Sequence, residues 1–405
     1  MIEGNEVCMN ILYLTSVFPR PEDGATIYTD LACELSRRGH SLTAVVADGK
    51  KTQKQAQLGT ERGLEVLRVR TGNLYNVGFL KKGLATLLLS HHLKRGIMRF
   101  LKNRTYDLIL YETPPLAVYK TVQYAKKRFG ASSFLMLKDI FPQNGVDLGI
   151  YKKNSFIFQY FRRQENALYR VSDKIGCMSK ANMEYMKKHN PAVSGKVVFF
   201  PNTKAVSEMP AISKASVREK FHLPADKTIF VFGGNIGLPQ SPDALIACAK
   251  KICEMKKAFF LAVGRGTHTE YVRHALSNAD NFMVLNELKR CDYEELLSAC
   301  DVGLIFLDSR FTVPNFPSRI LSYMNFSLAV LACTDNVSDI KDLLSEAGCG
   351  FWCKNGCLAQ FKQLAGKLCE NSQMREEMGR KGYLFFKERL NPGISADLLE
   401  TYMGN

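Results

Sequence analysis

The chain has 405 residues, enough for two domains at roughly 100 to 200 residues each, and too many for a peptide hormone, a disulfide knot or a single small binding module. It is 46% hydrophobic and 23% charged without a low-complexity tract, so it can bury enough apolar surface to fold throughout. The net charge of +16 is lopsided: residues 1–200 hold 31 Lys and Arg against 16 Asp and Glu, whereas residues 201–405 hold 24 against 23. A one-sided excess attracts a polyanion or an anionic membrane surface and says nothing about fold.

In chain order, residues 1–19 are acidic before their apolar stretch, unlike a secretory signal, and no apolar run approaches the roughly 20 residues that span a bilayer. Nothing in this argues for export, and the 12 scattered cysteines suit a reducing cytosol better than a disulfide framework. Short apolar or β-branched runs at 10–17, 41–47, 64–69, 107–111, 133–137, 174–178 and 197–200 predict strands, with helical patterns at 28–38, 116–128, 156–169 and 180–189 between them. Residues 80–104 stand apart, with seven Lys or Arg and no acid. Their apolar positions form two stripes, Leu80, Leu84, Leu87, Leu88 and Leu93, Ile97, Phe100, Leu101, rotated from each other by roughly 220° at helical pitch, which predicts a break near Ser90–His92. The segment reads equally as a membrane-interface helix and as a surface helix packed on a sheet.

The polar stretch at 201–216 reads as a linker, after which strands are predicted at 228–234, 259–264, 281–286, 302–307 and 328–333. The expectation is an α/β protein of two Rossmann-like, doubly wound domains, 1–203 and 204–387, with a C-terminal helix at 388–405 packing back on the first. Ligands of such sheets settle beyond the carboxyl ends of the strands.

The strongest constellation opens the second series. A strand ends at Gly233–Gly234, its loop carries Asn235 and Gly237, and Ser241–Pro242 supplies a predicted N-cap with proline at the first helical position. Glycines permit close backbone approach, and helix amides with a positive dipole end suit a nucleotide diphosphate; an ordinary strand-to-helix turn is the alternative. The loop is neither a Gly-x-Gly-x-x-Gly nor a Walker sequence. Arg265, between Gly264 and Gly266, is placed to fork onto phosphate or to be a plain exposed turn residue. Arg319 follows Pro317 and Ser318 into a helix's first turn, where a cation opposes the dipole and a bound anion would explain it. Cys349, Cys353 and Cys357 lack close pairs and His partners, so no metal is expected.

These residues carry a resemblance. The order NILYLTSVFP, LACELSRRGH, EYMKKHNPAVSGKVVFFPN, FGGNIGLPQ, AVGRG, ACDVGLIFL, FPSRILSYM and EAGCGF resembles, over essentially the whole chain, the GT-B fold, family 4-type glycosyltransferases of the bacterial polysaccharide, WbuB-like branch. The resemblance implies two domains facing each other across a cleft, a UDP-linked sugar held mainly by the second, an acceptor held by the first, and retention at the anomeric carbon without a metal or other cofactor. It places Gly234, Asn235, Gly237 and Gln240 by the diphosphate, and Gly264, Arg265 and Gly266 by the nucleotide. Pro317, Ser318 and Arg319 fall by the phosphates, with Arg319 in place of the usual lysine. On the acceptor side it implies Gly24 and Asp139, the latter in LKDIFPQNG, where Lys138 replaces a frequent histidine and Phe141-Pro142-Gln143 replaces Trp-Pro-Glu; Glu112, in YETPP, is read from the sequence as an acceptor-side candidate or a structural carboxylate. The two glutamates common in the family are Pro314 and Ser322 here, so their carboxylate contacts to donor sugar and ribose are missing; some members of the polysaccharide branch also carry serine at the second position, and Ser322 stays among the implied donor-binding residues.

The expected activity is transfer of a hexose or N-acetylhexosamine from a UDP-sugar to a polyprenyl-diphosphate-linked saccharide in capsule or O-antigen assembly, with Arg319 and Asp139 as catalytic candidates. The expected setting is cytoplasmic, peripheral at the inner face of the plasma membrane through the basic first domain. No nucleic-acid reading motif is present. A nucleotide-sugar 2-epimerase of the same fold and a non-catalytic partner subunit are the alternatives, the latter motivated by the missing glutamates.

Overall fold

The structure, a computed structural model, describes residues 8–49, 55–73, 79–208 and 211–404, with the side chains of 79–82 and 84 also outside the description. The chain divides into two compact units, Met1–Thr203 with Pro392–Asn405, and Lys204–Asn391.

The first unit runs β1 (Asn10–Thr15), α1 (Ile27–Arg37), β2 (Ser41–Gly49), β3 (Gln57–Glu61), β4 (Leu64–Thr71), α2 (Phe79–Phe100), β5 (Leu108–Thr113), α3 (Tyr119–Phe129), β6 (Ser132–Leu137), α4 (Gln143–Asp147), α5 (Phe156–Val171), β7 (Lys174–Cys177), α6 (Lys180–His189) and β8 (Val197–Phe199). Its sheet has the order β3-β4-β2-β1-β5-β6-β7-β8 and is parallel except where β3 joins β4. Both faces are covered, so the central strands are apolar on both: Ile11 and Tyr13 point one way, Leu12 and Leu14 the other, and all four are buried. α1 starts at a reciprocal cap in which Thr26 and Thr29 each accept the other's backbone N–H.

Two expectations need correction here. β3 is an antiparallel edge strand of largely exposed residues, so no apolar run announces it. The predicted break at Ser90–His92 is also absent, because α2 is continuous. Its buried stripe is Ala85, Leu89, Leu93, Ile97 and Leu101, one residue in four, and Ser90 is absorbed by donating its hydroxyl to the Ala117 carbonyl. Leu87 and Leu88 belong to the exposed side, while the side chains of Leu80 and Leu84 lie outside the described residues.

The second unit runs α7 (Lys214–Lys220), β9 (Thr228–Gly233), α8 (Pro242–Cys253), β10 (Ala258–Val263), α9 (Thr269–Ala275), β11 (Phe282–Leu285), α10 (Arg290–Ser298), β12 (Val302–Phe306), α11 (Arg319–Asn325), β13 (Ala329–Thr334), α12 (Ile340–Ala347), β14 (Gly350–Lys354), α13 (Leu358–Glu370) and α14 (Ser372–Arg389). Its sheet, β11-β10-β9-β12-β13-β14, is parallel throughout. β14 accounts for part of the regular cysteine spacing: Cys353 sits in it, buried opposite Cys333, while Cys349 precedes the strand and Cys357 follows it in the open. The chain ends with α15 (Pro392–Met403), which packs on α1 through Arg38 to Asp397 and His40 to Glu400.

Candidate functional site

In the second unit β9 stops at a corner that tolerates only glycine. A Cβ on Gly233 would stand 1.8 Å from the Tyr293 hydroxyl, and Gly234 has φ +113°. The loop after β10 is pressed against this corner, since a Cβ on Gly264 would lie 1.9 Å from the Gly234 carbonyl and one on Gly266 2.1 Å from that of Ile236. Hydrogen bonds fasten the two loops: Gly234 N–H to Val263 (2.8 Å), Ile236 N–H to Arg265 (2.9 Å) and His268 N–H to Ile236 (3.0 Å). Gln240 braces the far side, its Oε1 accepting from Gly237 N–H at 3.2 Å and from the Asn235 amide at 3.1 Å.

This zippering corrects the expectation of a free amide cradle. The amides of Gly234, Ile236 and Gly237 are paired within the chain, and that of Asn235 alone in this run has no partner among the described residues. Ser241 is likewise no side-chain cap. A single 3-10 turn over Leu238–Gln240 leaves Ser241 left-handed at φ +48°, and its hydroxyl makes no capping bond to α8, although Pro242 does open that helix.

Arg319 stands at the same corner. Its guanidinium lies 4.2 Å over the Phe232 ring, with Nη2 beside Gly234. Nη1 is out of contact with water and has no hydrogen-bond partner, the side chain as a whole is part-buried, and Arg319 forms no ion pair with a carboxylate among the described residues. Burial therefore pulls its pKa below the usual arginine value, offset in part by Tyr323 and Tyr293. Tyr323 fixes the corner from beneath, accepting from Gly233 N–H at 3.0 Å and donating to the Leu304 carbonyl at 3.1 Å. Arg265 differs: its side chain is 62% exposed and bound to Glu287 at 2.8 Å.

Pro317 and Ser318 lead into α11, and Ser322 lies one helical turn beyond Arg319. Ser318 makes no side-chain cap, and Pro314 is buried. Three residues that pin the surrounding loops escape sequence reasoning. Asp335 accepts from the Val337 and Ser338 amides and from the Ser338 hydroxyl, which in turn takes the Asn315 amide at 2.9 Å. Asn355 donates to the Leu307 carbonyl, and Asp308 takes Arg310 through two guanidinium nitrogens. The Asp-x-x-Ser spacing at 335–338 is the one available signal, an aspartate suited to closing a turn on its own backbone.

In the first unit the loops at the carboxyl edge of the sheet gather a different chemistry. Glu112, at the end of β5, is buried; its Oε1 accepts from the Thr15 hydroxyl (2.8 Å) and the Ser16 amide (3.0 Å), while Oε2 is buried without a partner. Desolvation pushes its pKa up to about 7 against the pull of those bonds and of Lys138. Lys138, just past β6, donates to Asn202 Oδ1 at 2.6 Å and is held down to about 8 by the same burial. Asp139 follows it, has no hydrogen-bond partner among the described residues, and is pushed up to about 6 by burial alone. Gly24, at φ +99°, closes a short 3-10 turn whose carbonyls at Pro19, Arg20 and Gly24 all accept from the Arg62 guanidinium. Glu165, by contrast, is a structural residue of α5, bonded to Arg162 and the Tyr169 hydroxyl. No cluster of three metal-ligating side chains occurs among the described residues.

Residues 213–385 match the family model of glycosyl transferases group 1. The probable glycosyltransferase WbjE of Pseudomonas aeruginosa is 25% identical over 271 residues, 66% of this chain and 67% of that one. Solved structures of similar fold include sucrose-phosphate synthase from Thermosynechococcus elongatus (TM-score 0.75, 14% identity, 98% of both chains). HepE of Anabaena in complex with UDP and glucose is similar at TM-score 0.72 and 15% identity, over 98% of this chain and 100% of that one. WaaG, a glycosyltransferase of lipopolysaccharide biosynthesis, is similar at TM-score 0.67 and 14% identity over the same shares.

Proposed function

We propose that the chain, whose residues 213–385 match the group 1 glycosyltransferase model and whose fold is GT-B, is a glycosyltransferase of that group and transfers a hexose or N-acetylhexosamine, with retention, from a UDP-sugar to a polyprenyl-diphosphate-linked saccharide in capsule or O-antigen assembly. The observation that carries the proposal is the Arg319 guanidinium at the Gly233–Gly234 corner, part-buried, with Nη1 out of contact with water and no carboxylate counter-ion among the described residues. A part-buried cation with an unsatisfied buried N–H is costly, and an anionic ligand at that corner reduces the cost. UDP in a structure of the similar HepE supports a pyrophosphate as that anion.

When the bond from the anomeric carbon to the β-phosphate oxygen breaks, negative charge grows on that phosphate. Arg319 and the unpaired Asn235 amide would receive it, while the acceptor hydroxyl attacks from the same face of the sugar and its proton passes to the departing phosphate oxygen as UDP leaves. Asp139, with its raised pKa, would orient that hydroxyl, and Glu112 would offer its free Oε2 to the acceptor. Gly24, Gly264 and Gly266 act by bringing backbone close, Gln240 by bracing the loop, and Pro317, Ser318 and Ser322 by lining the approach to Arg319. The reaction as proposed needs no cofactor.

The lipid-linked acceptor places the enzyme at the cytoplasmic face of the plasma membrane. Three helices on one side of the first sheet, α2, α3 and α5, carry twelve cations and a single acid, Glu165, which is buried. That excess supports attraction to anionic lipid. Among the described residues no helix is long and apolar enough to cross a membrane.

The test is purified protein with a panel of UDP-sugars. UDP well above a millimolar should raise the melting temperature, and Arg319→Ala should abolish the rise; no stabilisation of the unaltered chain would count against the proposal. Pro314 and Ser322, in place of the glutamates, favour a non-catalytic partner subunit as the second reading. Binding without turnover until a partner is added would establish it, and product from UDP-N-acetylglucosamine alone would instead indicate an epimerase.

A further inference from the structure

The most exposed large apolar side chain described is Phe156, 85% exposed at the first position of α5. It is not isolated. Tyr160 lies one helical turn beyond it on the same flank, Ile157 follows it directly and Ile150 stands in the preceding loop, so four exposed apolar side chains crowd into eleven residues of chain. From Ile150 to Gln164 the chain carries Lys152, Lys153, Arg162 and Arg163 and no acid.

Topology fixes where this segment sits within the first unit. In a parallel sheet a helix that follows a strand starts at the carboxyl edge, so α5, after β6, begins at the edge that holds Glu112, Lys138 and Asp139. α2, after β4, begins at the same edge, and both helices pack on α3, which puts them on one side of the sheet. The exposed flank of α2, with Leu87, Leu88, Met98, Arg95 and Arg99, continues the same basic, apolar character.

We propose that Ile150, Phe156, Ile157 and Tyr160 form a wedge that enters the headgroup region of an anionic bilayer while the surrounding lysines and arginines bind lipid phosphates. This rests on the membrane reading above and names the part of the chain that penetrates. Charge selects the occupant: a second copy of this chain would present the same cations to itself, whereas anionic lipid complements them and accepts aromatic side chains at headgroup depth. The wedge is also tied to the polar edge. Phe141, two residues after Asp139, stacks edge-on against Phe161 (4.9 Å) and Tyr151 (6.2 Å), Tyr160 packs on Phe161, and the Tyr151 hydroxyl donates to the Pro142 carbonyl. A docked wedge therefore steadies the loop that carries Asp139 at the depth where a lipid-linked diphosphate lies.

The experiment uses the full chain with vesicles of phosphatidylcholine, with and without phosphatidylglycerol. A Phe156→Trp variant should blue-shift on anionic vesicles and be quenched by brominated acyl chains, with the unaltered chain, whose single tryptophan is Trp352, as baseline. Phe156→Ser with Ile157→Ser should lower vesicle affinity by about tenfold or more, with melting temperature and turnover of a detergent-solubilised acceptor unchanged. Vesicle-bound protein with unquenched Trp at 156, or undiminished affinity of the double variant, overturns the wedge while leaving charge-driven membrane contact intact. A concentration-dependent dimer abolished by the same double variant overturns it in favour of self-association. Failure of the unaltered chain to bind anionic vesicles overturns the wedge together with the membrane reading, and leaves the UDP test of the donor corner independent.

Discussion

The two units share a parallel sheet with helices on both faces, yet the loops at their carboxyl edges hold opposite kinds of chemistry. The second unit offers Arg319, charged at every physiological pH, set among glycines and paired backbone groups. The first offers Glu112, Lys138 and Asp139, all displaced by burial toward neutrality. The contrast fits the two partners of the proposed reaction. A pyrophosphate keeps its charge and is best met by a fixed cation and preorganised dipoles, whereas an acceptor hydroxyl must give up a proton and is best met by groups that titrate near the working pH. One architecture thus carries two sites whose difference lies in loop side chains.

The comparison breaks first at Arg319. Arg319→Ala should lower the transfer rate by about 100- to 1000-fold, the scale of removing one preorganised stabiliser of developing charge. Arg319→Lys should recover only part, because an ammonium keeps the charge but neither stacks on Phe232 nor forks. A rate unaffected by Arg319→Ala would move charge stabilisation out of this corner. Next is the scaffold that holds it. Gly264→Ala drives a Cβ into the Gly234 carbonyl from a backbone at φ +153°, so it should destabilise the second unit by about 3 kcal/mol, read in denaturant melts, and lower UDP affinity with it.

A smaller and slower effect should appear in the first unit, and it is pH that reveals it. Glu112 has an ordinary value of 4.5 when unfolded and about 7 when folded, so the folded chain holds this proton more tightly. The stabilisation is complete below pH 4.5, declines as pH rises, and is gone above about 7, a change on the order of 3 kcal/mol for this one group. Glu112→Gln should flatten the pH dependence of stability over that interval, and turnover against pH should lose a limb near neutrality. An unchanged profile would mean that the carboxyl is solvated and takes no part in the contrast between the sites.

The strands were the legible part of the sequence, because strands buried on both faces must be continuously apolar: NILYLT and TIFVFG announce β1 and β9 by composition alone. β3 and α2 show where that signal fails. QLGTE at the sheet edge buries little, and the apolar residues of α2 belong to two faces, one packed and one exposed, so no single stripe describes them. At the site, the glycine-rich loops were visible as residue types. Their hydrogen-bond partners were not, since the amides of Gly234 and Ile236 are taken by residues about thirty positions away, across two strands. Arg319 and Arg265 look alike in sequence, each beside a loop that follows a strand; only packing tells the desolvated one from the exposed one.

That last distinction yields the smallest and most discriminating prediction. Arg265 already has a counter-ion in Glu287, and both side chains are more than half exposed, so their attraction is screened by water and salt. Recruiting Arg265 to a phosphate would require breaking one exposed ion pair to make another, with little net gain. Arg265→Ala should therefore change the transfer rate by less than about threefold and stability by less than about 0.5 kcal/mol, against the hundredfold or greater loss expected at Arg319. Glu287→Ala provides the converse. If it raises donor affinity, and does so only while Arg265 is present, then the ion pair competes with the phosphate and Arg265 joins the anion site; if it leaves affinity unchanged, the donor's charge is met by Arg319 without it.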